Sequence, residues 1–316
     1  MGESQARHLL GIAGLERPAI QALLDRAAEM QRRPPDKRLA GRRVLLLFYE
    51  PSTRTRTSFE VAARRLGAET VAVTASASSI EKGESLLDTV YTLQAMAVDA
   101  IVMRHGESGA PFLVARHVDV PVINAGDGMH EHPTQALLDA FTILRHKGRM
   151  DGLTVAIVGD ILHSRVARSN LWLLSRFGAR VRLCGPPSLL PAGFAALGPG
   201  VECHHQLEPA LEGADVVMVL RIQMERMREA FFPSEAEYVQ YYSVTPERLR
   251  LARPDAIVMH PGPMIRGVEI GAEVADSPQS VIREQVENGV LIRMAALEQL
   301  LAPDAAPAPA PAGAAR

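Results

Sequence analysis

The sequence predicts an α/β fold of two doubly wound domains, each a parallel sheet flanked by helices. Short apolar runs alternate with amphipathic stretches over most of the chain. The runs are continuously apolar, as strands buried on both faces must be. The chain also has 316 residues, more than one compact core usually holds.

In chain order, strands are expected at 43–49 (RVLLLFY), 69–75 (ETVAVTA), 100–105 (AIVMRH) and 121–126 (PVINAG). A second series follows at 154–160 (TVAIVGD), 179–185 (ARVRLCG), 214–220 (ADVVMVL) and 256–261 (AIVMHP). Between them, TSFEVAARRLG, SLLDTVYTLQAM, TQALLDAFTILRHKG and RVARSNLWLLSRFG repeat apolar residues at about 3.6-residue spacing, the helical period. The seam falls at DGMHEHPTQALLDAF. Residues 1–132 are expected to form one domain and 133–286 the other. The final helix carries no signal for either; its residues 287–301 are assigned to the first. The Ala/Pro tail, 302–316, has no apolar face and is expected to be disordered.

Composition excludes several classes. With 47% hydrophobic and 22% charged residues and a formal charge of −2, the chain has no general attraction for nucleic acid or anionic lipid. Any anion site must be local. No apolar run approaches the ~20 residues of a membrane span, and the N-terminal stretch lacks a signal sequence, so a cytoplasmic protein is expected. Cys184 and Cys203 have neither zinc nor disulfide spacing, which fits a reducing compartment.

In open α/β sheets ligands bind beyond the carboxyl ends of the strands, and here those positions are charged and hydroxylated. After the first strand, PSTRTRTS sets Ser52, Thr53, Arg54 and Thr55 at a helix start, where backbone amides, guanidinium and hydroxyl donors suit a phosphate-like dianion. After the second comes a polar loop with Ser78 and Lys82, ahead of a helix capped by Glu84 or Ser85. Arg104 ends the third strand; either an anionic ligand or a structural ion pair would satisfy it. NAGDGMHEHPTQ then offers His130, His132 and Gln135. Two histidines two apart lack a third metal ligand nearby, so no metal is expected. A neutral His132 near a helix start suits hydrogen bonding to a substrate carbonyl, whereas His130 is read as facing solvent.

In the second half, VAIVGDILHSRVARSN has the outline of a dinucleotide-binding turn. It lacks G-x-G-x-x-G and puts Arg165 and Arg168 where a pyrophosphate needs glycine. That weighs against a nucleotide-dependent dehydrogenase. Arg221 and Gln223 follow another strand, and HPGP ends the last one with carbonyls at Pro261 and Gly262 that can accept from an amine. Arginines facing an amine acceptor point to an amino acid as ligand.

The motifs PSTRTRTSFE, KGES, MRH, HPTQ, VGD followed by Arg165, LRIQ and HPGP stand in the order and approximate spacing of the aspartate/ornithine carbamoyltransferase superfamily. Over residues 5–301 the chain resembles the catalytic subunits of its aspartate branch. The resemblance implies transfer of the carbamoyl group of carbamoyl phosphate to the amino group of L-aspartate in pyrimidine biosynthesis, with no metal or organic cofactor and with the active site in the cleft between the domains. Carried over by position, it assigns Ser52, Thr53, Arg54, Thr55, Arg104, His132, Gln135, Pro261 and Gly262 to carbamoyl phosphate. Arg54, Thr55, Arg104 and His132 are its catalytic set. It assigns Lys82, Arg165, Arg221 and Gln223 to aspartate, with Ser78 and Lys82 supplied by the neighbouring subunit of a homotrimer. It allows a higher assembly with a dihydroorotase, a dihydroorotase-like chain or regulatory chains.

The ornithine branch ends its last strand in a His-Cys-Leu-Pro type motif. Here Pro261 stands at the cysteine position and Arg221 favours a side-chain carboxylate, so aspartate is expected over ornithine. Ile265 departs from the asparagine common in relatives, which bears on its loop. ERMREAFFPSEAEYVQYYSVTPERL resembles a loop that closes over aspartate. The rival readings are another amino-acid carbamoyltransferase and a non-catalytic scaffold of the same family.

Overall fold

The computed structural model describes residues 7–33, 36–74, 84–223 and 234–302. The chain divides into two compact units, Met1–Thr134 with Val290–Arg316, and Gln135–Gly289. The first unit is therefore discontinuous in sequence, and the second is a single stretch.

The first unit contains α1 (Arg17–Arg32), β1 (Arg43–Phe48), α2 (Thr53–Arg65), β2 (Glu69–Thr74), α3 (Leu86–Gln94), β3 (Ala100–His105), α4 (Ala110–Ala115) and β4 (Val122–Asp127). Its sheet is parallel in the order β2-β1-β3-β4. Val44 to Leu47 of β1 and Ala100 to Met103 of β3 have no solvent exposure, so side chains reach water only beyond the strand ends. Helix α2 buries Thr55, Ser58, Phe59, Ala62 and Ala63, the i, i+3, i+4 stripe of a helix laid on a sheet. Its other face carries the exposed Thr53 and Arg54. Ser85 caps α3 by accepting from the Asp88 N–H at 3.2 Å.

The second unit contains β5 (Thr154–Val158), α6 (Arg165–Arg176), β6 (Arg180–Cys184), β7 (Val201–His204), α7 (Leu207–Leu211), β8 (Val216–Val219), α8 (Glu235–Tyr242), α9 (Pro246–Leu249), β9 (Ile257–Met259) and α10 (Ala272–Ala275). Its parallel sheet runs β7-β6-β5-β8-β9. Tyr238, Val217, Val219, Val258 and Ile270 belong to its core. The boundaries at Thr134 and Gly289 fall within two further helices, α5 (Pro133–Lys147) and α11 (Ile282–Leu301).

Every expected strand is present, within two residues at each end. Strand β7 was not expected. Its sequence, VECH, is four residues long and half polar, as suits an edge strand, and it carries no apolar run to read. A second addition is the N-terminal segment. Leu9 forms a parallel bridge to Ile123 on β4, with hydrogen bonds of 2.9 Å from Leu9 N–H to Val122 O and from Asn124 N–H to Leu9 O. The end of the chain closes the first unit. Glu298 accepts from Arg26 at 2.5 and 2.8 Å and from Arg38 at 3.2 Å. Burial opposes ionisation of Glu298, but the two guanidinium groups hold its carboxyl below the usual range. Arg293 donates to Ser58 Oγ at 2.7 Å and lies 5.1 Å from the centre of the Phe59 ring.

The N-terminal segment makes stability pH-dependent. Buried His8 accepts the Val122 N–H at Nδ1, 3.0 Å away. Burial, then Arg7, lowers its pKa from 6.5 to about 4. Between those values the unfolded chain binds a proton that the folded chain refuses, so this contribution is complete above pH 6.5 and is lost as pH falls toward 4. His8→Asn keeps an acceptor and removes the titration. Urea midpoints measured at pH 6.5 and 4.5 should fall less in the variant than in the parent chain; an equal fall would remove His8 as a source of acid sensitivity.

Candidate active site

In the first unit the polar side chains gather beyond the strand ends for a geometric reason. Chain leaving β1 turns directly into α2, so Arg54 and Thr55 belong to the helix's first turn rather than to a loop ahead of it. Ser52 occupies the N-cap, yet its side chain makes no capping hydrogen bond. The first-turn amides of a helix are unpaired within the helix and attract anions. Thr55 is buried, whereas Arg54 is exposed.

Arg104 ends β3 with its Nε 3.2 Å from a Glu50 carboxylate oxygen and one terminal nitrogen 3.4 Å from Ala125 O on β4. Of the two expected roles, the structure shows the ion pair. Glu50 was not among the expected site residues, although it directly follows β1 and adjoins PSTRTR. The pair fixes the direction of the guanidinium and is compatible with a second, anionic partner, since the group has five N–H donors.

His132 is buried immediately before Pro133, and two carboxylates brace the turn that carries it. Asp127, fully buried, accepts from Gly109 N–H at 2.6 Å, Asn124 Nδ2 at 2.8 Å and Glu131 N–H at 3.1 Å. Burial raises the Asp127 pKa, but hydrogen bonds from His130, Gly109 and Asn124 outweigh it and leave the carboxyl lowered. His130, read from sequence as facing solvent, is 41% exposed yet has Nδ1 3.0 Å from Asp127. Buried Glu131 accepts the N–H groups of Ile12 and Ala13 at 2.7 and 3.0 Å. A Cβ on Gly11 would stand 2.4 Å from the Glu131 carboxylate, so a side chain there would push the carboxylate away from these N–H groups.

The second unit repeats this construction. Gly159 directly follows β5 at φ +135°, and a Cβ on it would meet Leu220 O at 2.4 Å. The glycine serves the close approach of two strand ends rather than a pyrophosphate. Asp160, fully buried, accepts from His163 N–H at 3.1 Å, from Gln223 N–H at 3.2 Å and faces His163 Nδ1 at 2.9 Å. Gln223 donates from its side chain to His163 O at 3.1 Å. The loops bearing Arg165 and Gln223 are thereby held together. Arg165 is buried as the first residue of α6, whose N-cap Ser164 accepts from Ala167 N–H at 3.0 Å. Arg221 is half-buried beyond β8.

Pro261 and Gly262 follow β9 and are partly exposed. His260 accepts the Gly262 N–H at Nδ1, 2.8 Å away, and places Nε2 3.2 Å from Glu269. Glu269 also accepts the Ile265 N–H at 2.6 Å. The side chain of Ile265 is 41% exposed, so this position contributes to the loop through its backbone. Gln135 donates to Asp139 at 2.9 Å. Ser78 and Lys82, the loop 225–233 and the tail from 303 lie outside the described residues. Among the described residues, no group of three or more His, Cys, Asp or Glu is placed to hold a metal ion, and no helix is long and apolar enough to cross a membrane.

Residues 7–145 match the family description "Aspartate/ornithine carbamoyltransferase, carbamoyl-P binding domain", and residues 151–300 match "Aspartate/ornithine carbamoyltransferase, Asp/Orn binding domain". The chain belongs to this family. It is 57% identical over 302 residues to an aspartate carbamoyltransferase catalytic subunit of Koribacter versatilis, covering 96% of this chain and 99% of that one. Among solved structures, aspartate transcarbamoylase from Trypanosoma cruzi in complex with carbamoyl aspartate and phosphate is similar at a TM-score of 0.86 and 34% identity, covering 94% of this chain and 96% of that one. Ornithine carbamoyltransferase from Thermus thermophilus is similar at 0.84 and 32%, covering 93% and 99%. The carbamoyltransferase fold is thus shared by both branches, and the choice of amino acid rests on side chains.

The bracing of His132 by Glu131 can be tested without any substrate. Glu131→Gln replaces one of two charged acceptors with an amide, and hydrogen bonds to charged groups contribute about 1.5–3 kcal/mol. We expect a lower urea midpoint together with faster amide exchange at Ile12 and Ala13; unchanged exchange there would show that the carboxylate is dispensable.

Proposed function

We infer that this chain transfers the carbamoyl group of carbamoyl phosphate to the amino group of L-aspartate, giving N-carbamoyl-L-aspartate and phosphate, in pyrimidine biosynthesis. The observation that carries this reading is 57% identity along nearly the whole of an aspartate carbamoyltransferase catalytic subunit. Pro261 and Arg221, the two residues that separate aspartate from ornithine in the sequence, agree with it.

In the proposed mechanism the first unit receives the phosphorylated substrate. The amides opening α2, with Ser52, Thr53, Arg54 and Thr55, hold the phosphate. Thr55, Arg104 and His132 donate to the carbamoyl oxygen, and Gln135 with the Pro261 and Gly262 carbonyls accepts from the carbamoyl nitrogen. Arg165, Arg221 and Gln223, with Lys82, hold the carboxylates of aspartate. Its neutral amine attacks the carbamoyl carbon, negative charge grows on the oxygen, and the tetrahedral species expels phosphate, which takes the amine proton. Each donor aimed at such an oxyanion is typically worth ~2.7–4 kcal/mol, and orientation of two bound substrates supplies ~7–11 kcal/mol. No covalent enzyme intermediate is required.

We further propose a cytoplasmic homotrimer whose Ser78 and Lys82 complete the site of a neighbouring copy. Support comes from β2, an edge strand whose Val71 is 37% exposed, and from the exposed Tyr91 and Met96 that follow it. An open apolar edge calls for cover, and a second copy of the chain can supply it.

Two experiments bear on these readings. Purified chain given carbamoyl phosphate should form carbamoyl product with aspartate and none with ornithine; product from ornithine would overturn the roles of Pro261 and Arg221, and silence with both would overturn the activity. Arg54→Ala and Lys82→Ala trimers should each be nearly inactive, and mixing them under conditions of subunit exchange should restore part of the activity, because some hybrid sites are intact. Hybrids that form without any recovery would exclude sharing.

A further inference from the structure

The Pro133–Lys147 helix carries a buried acid that the mechanism above does not use. Asp139 has no solvent exposure, and three side-chain amides converge on it. Gln135 Nε2 donates at 2.9 Å and Gln285 Nε2 at 2.6 Å, both to Oδ1, while Asn170 Nδ2 donates to Oδ2 at 2.7 Å. All four residues lie in the second unit. Gln135 is one helical turn before Asp139, the spacing that brings side chains together on one face.

A carboxylate accepts hydrogen bonds and donates none. Each amide must therefore turn its nitrogen toward Asp139 and its oxygen away. For Gln135 this fixes Oε1, an acceptor, as the outward end. For Gln285 the outward Oε1 accepts the His260 N–H at 3.0 Å. His260 directly precedes Pro261 and holds the Gly262 N–H at 2.8 Å on its own ring. One buried charge thus sets the polarity of Gln135 and anchors the backbone that presents the Pro261 carbonyl.

We infer that Asp139 is a positioning residue that makes the site selective for an acyl phosphate bearing an NH2 group on its carbonyl carbon, an inference that rests on the carbamoyl-transfer reading. Carbamoyl phosphate as a dianion has a single donor group, its NH2; every other polar atom accepts. Gln135 and Pro261 are the two acceptors assigned to that NH2, and Asp139 stands behind both. Acetyl phosphate carries a methyl group in the same place and can make neither bond. The acceptors, once locked by Asp139, have nothing to gain from the methyl compound and lose a solvating partner in binding it.

The test is Asp139→Asn, which keeps shape while adding a donor and removing the charge, compared with Gln135→Ala and the double variant. Readouts are kcat/KM for carbamoyl phosphate at saturating aspartate, inhibition constants for acetyl phosphate and inorganic phosphate, and thermal midpoint. Asp139→Asn should lower kcat/KM for carbamoyl phosphate by about tenfold to a hundredfold, the loss expected for hydrogen bonds to a charged group. Inhibition by acetyl phosphate and by phosphate should change no more than about twofold, since neither uses the NH2 acceptors. In the Gln135→Ala background the same substitution should cost markedly less, because the two residues act on one hydrogen bond.

Equal weakening of carbamoyl phosphate, acetyl phosphate and phosphate would mark Asp139 as merely structural and overturn the inference, as would full additivity with Gln135→Ala. An active parent chain with an Asp139→Asn variant indistinguishable from it defeats this inference alone, whereas an inactive parent chain defeats the carbamoyl-transfer reading itself. If Asp139→Asn does not fold, Gln285→Met, similar in volume, breaks the link to His260 from the other side. It should narrow the preference for carbamoyl over acetyl phosphate, and an unchanged preference would overturn the inference.

Discussion

Burial of every central strand on both faces is the constraint on which the rest of this structure depends. With Val44 to Leu47 and Ala100 to Met103 fully shielded, no polar side chain can project from the body of the sheet without losing its hydration. Chemistry is displaced to the strand ends, where the chain turns toward the next helix. Arg104 at the end of β3, Asp160 beyond β5 and Pro261 beyond β9 share this origin. The parallel arrangement compounds the effect, because it puts the carboxyl ends of all strands of a sheet on one edge.

Groups so placed need to be held without being spent, and buried carboxylates do this. Asp127, Glu131, Asp139, Asp160 and Glu269 each accept from backbone or amide N–H groups of segments far apart in sequence or across a turn. An acid in this role imposes direction, since only donors can approach it. The residues assigned to substrate stand next to these acids in the chain: His132 after Glu131, Gln135 one turn from Asp139, Arg165 shortly after Asp160.

Most of the fold was legible because apolar runs report strands buried on both faces. Where that signal fails, so did the reading: VECH in β7 is short and polar, and the segment around Leu9 pairs with β4 through backbone groups that no side-chain pattern betrays. Residues at strand ends were legible as candidates because arginine, histidine and hydroxyl groups are out of place beside such runs. Their supports were not. Asp139 lies within TQALLDAF, where an acid at helical spacing reads as a solvated face, and only its convergence with Asn170 and Gln285 reveals it. Glu50 was hidden in the same way, since its partner is 54 residues distant in the chain and adjacent only once β1 and β3 pair.

The split of the first unit between the two ends of the chain also has a meaning in time. During synthesis the N-terminal part emerges first, but it lacks Arg293 and Glu298, which tie the last helix to Ser58, Arg26 and Arg38. The second unit, a single stretch ending at Gly289, is complete on the ribosome before its predecessor is. Domains generally fold as units in order of emergence, and here the order is inverted: the half made first finishes last. Until the last helix is made, Arg26, Arg38 and Ser58 wait for the partners it brings.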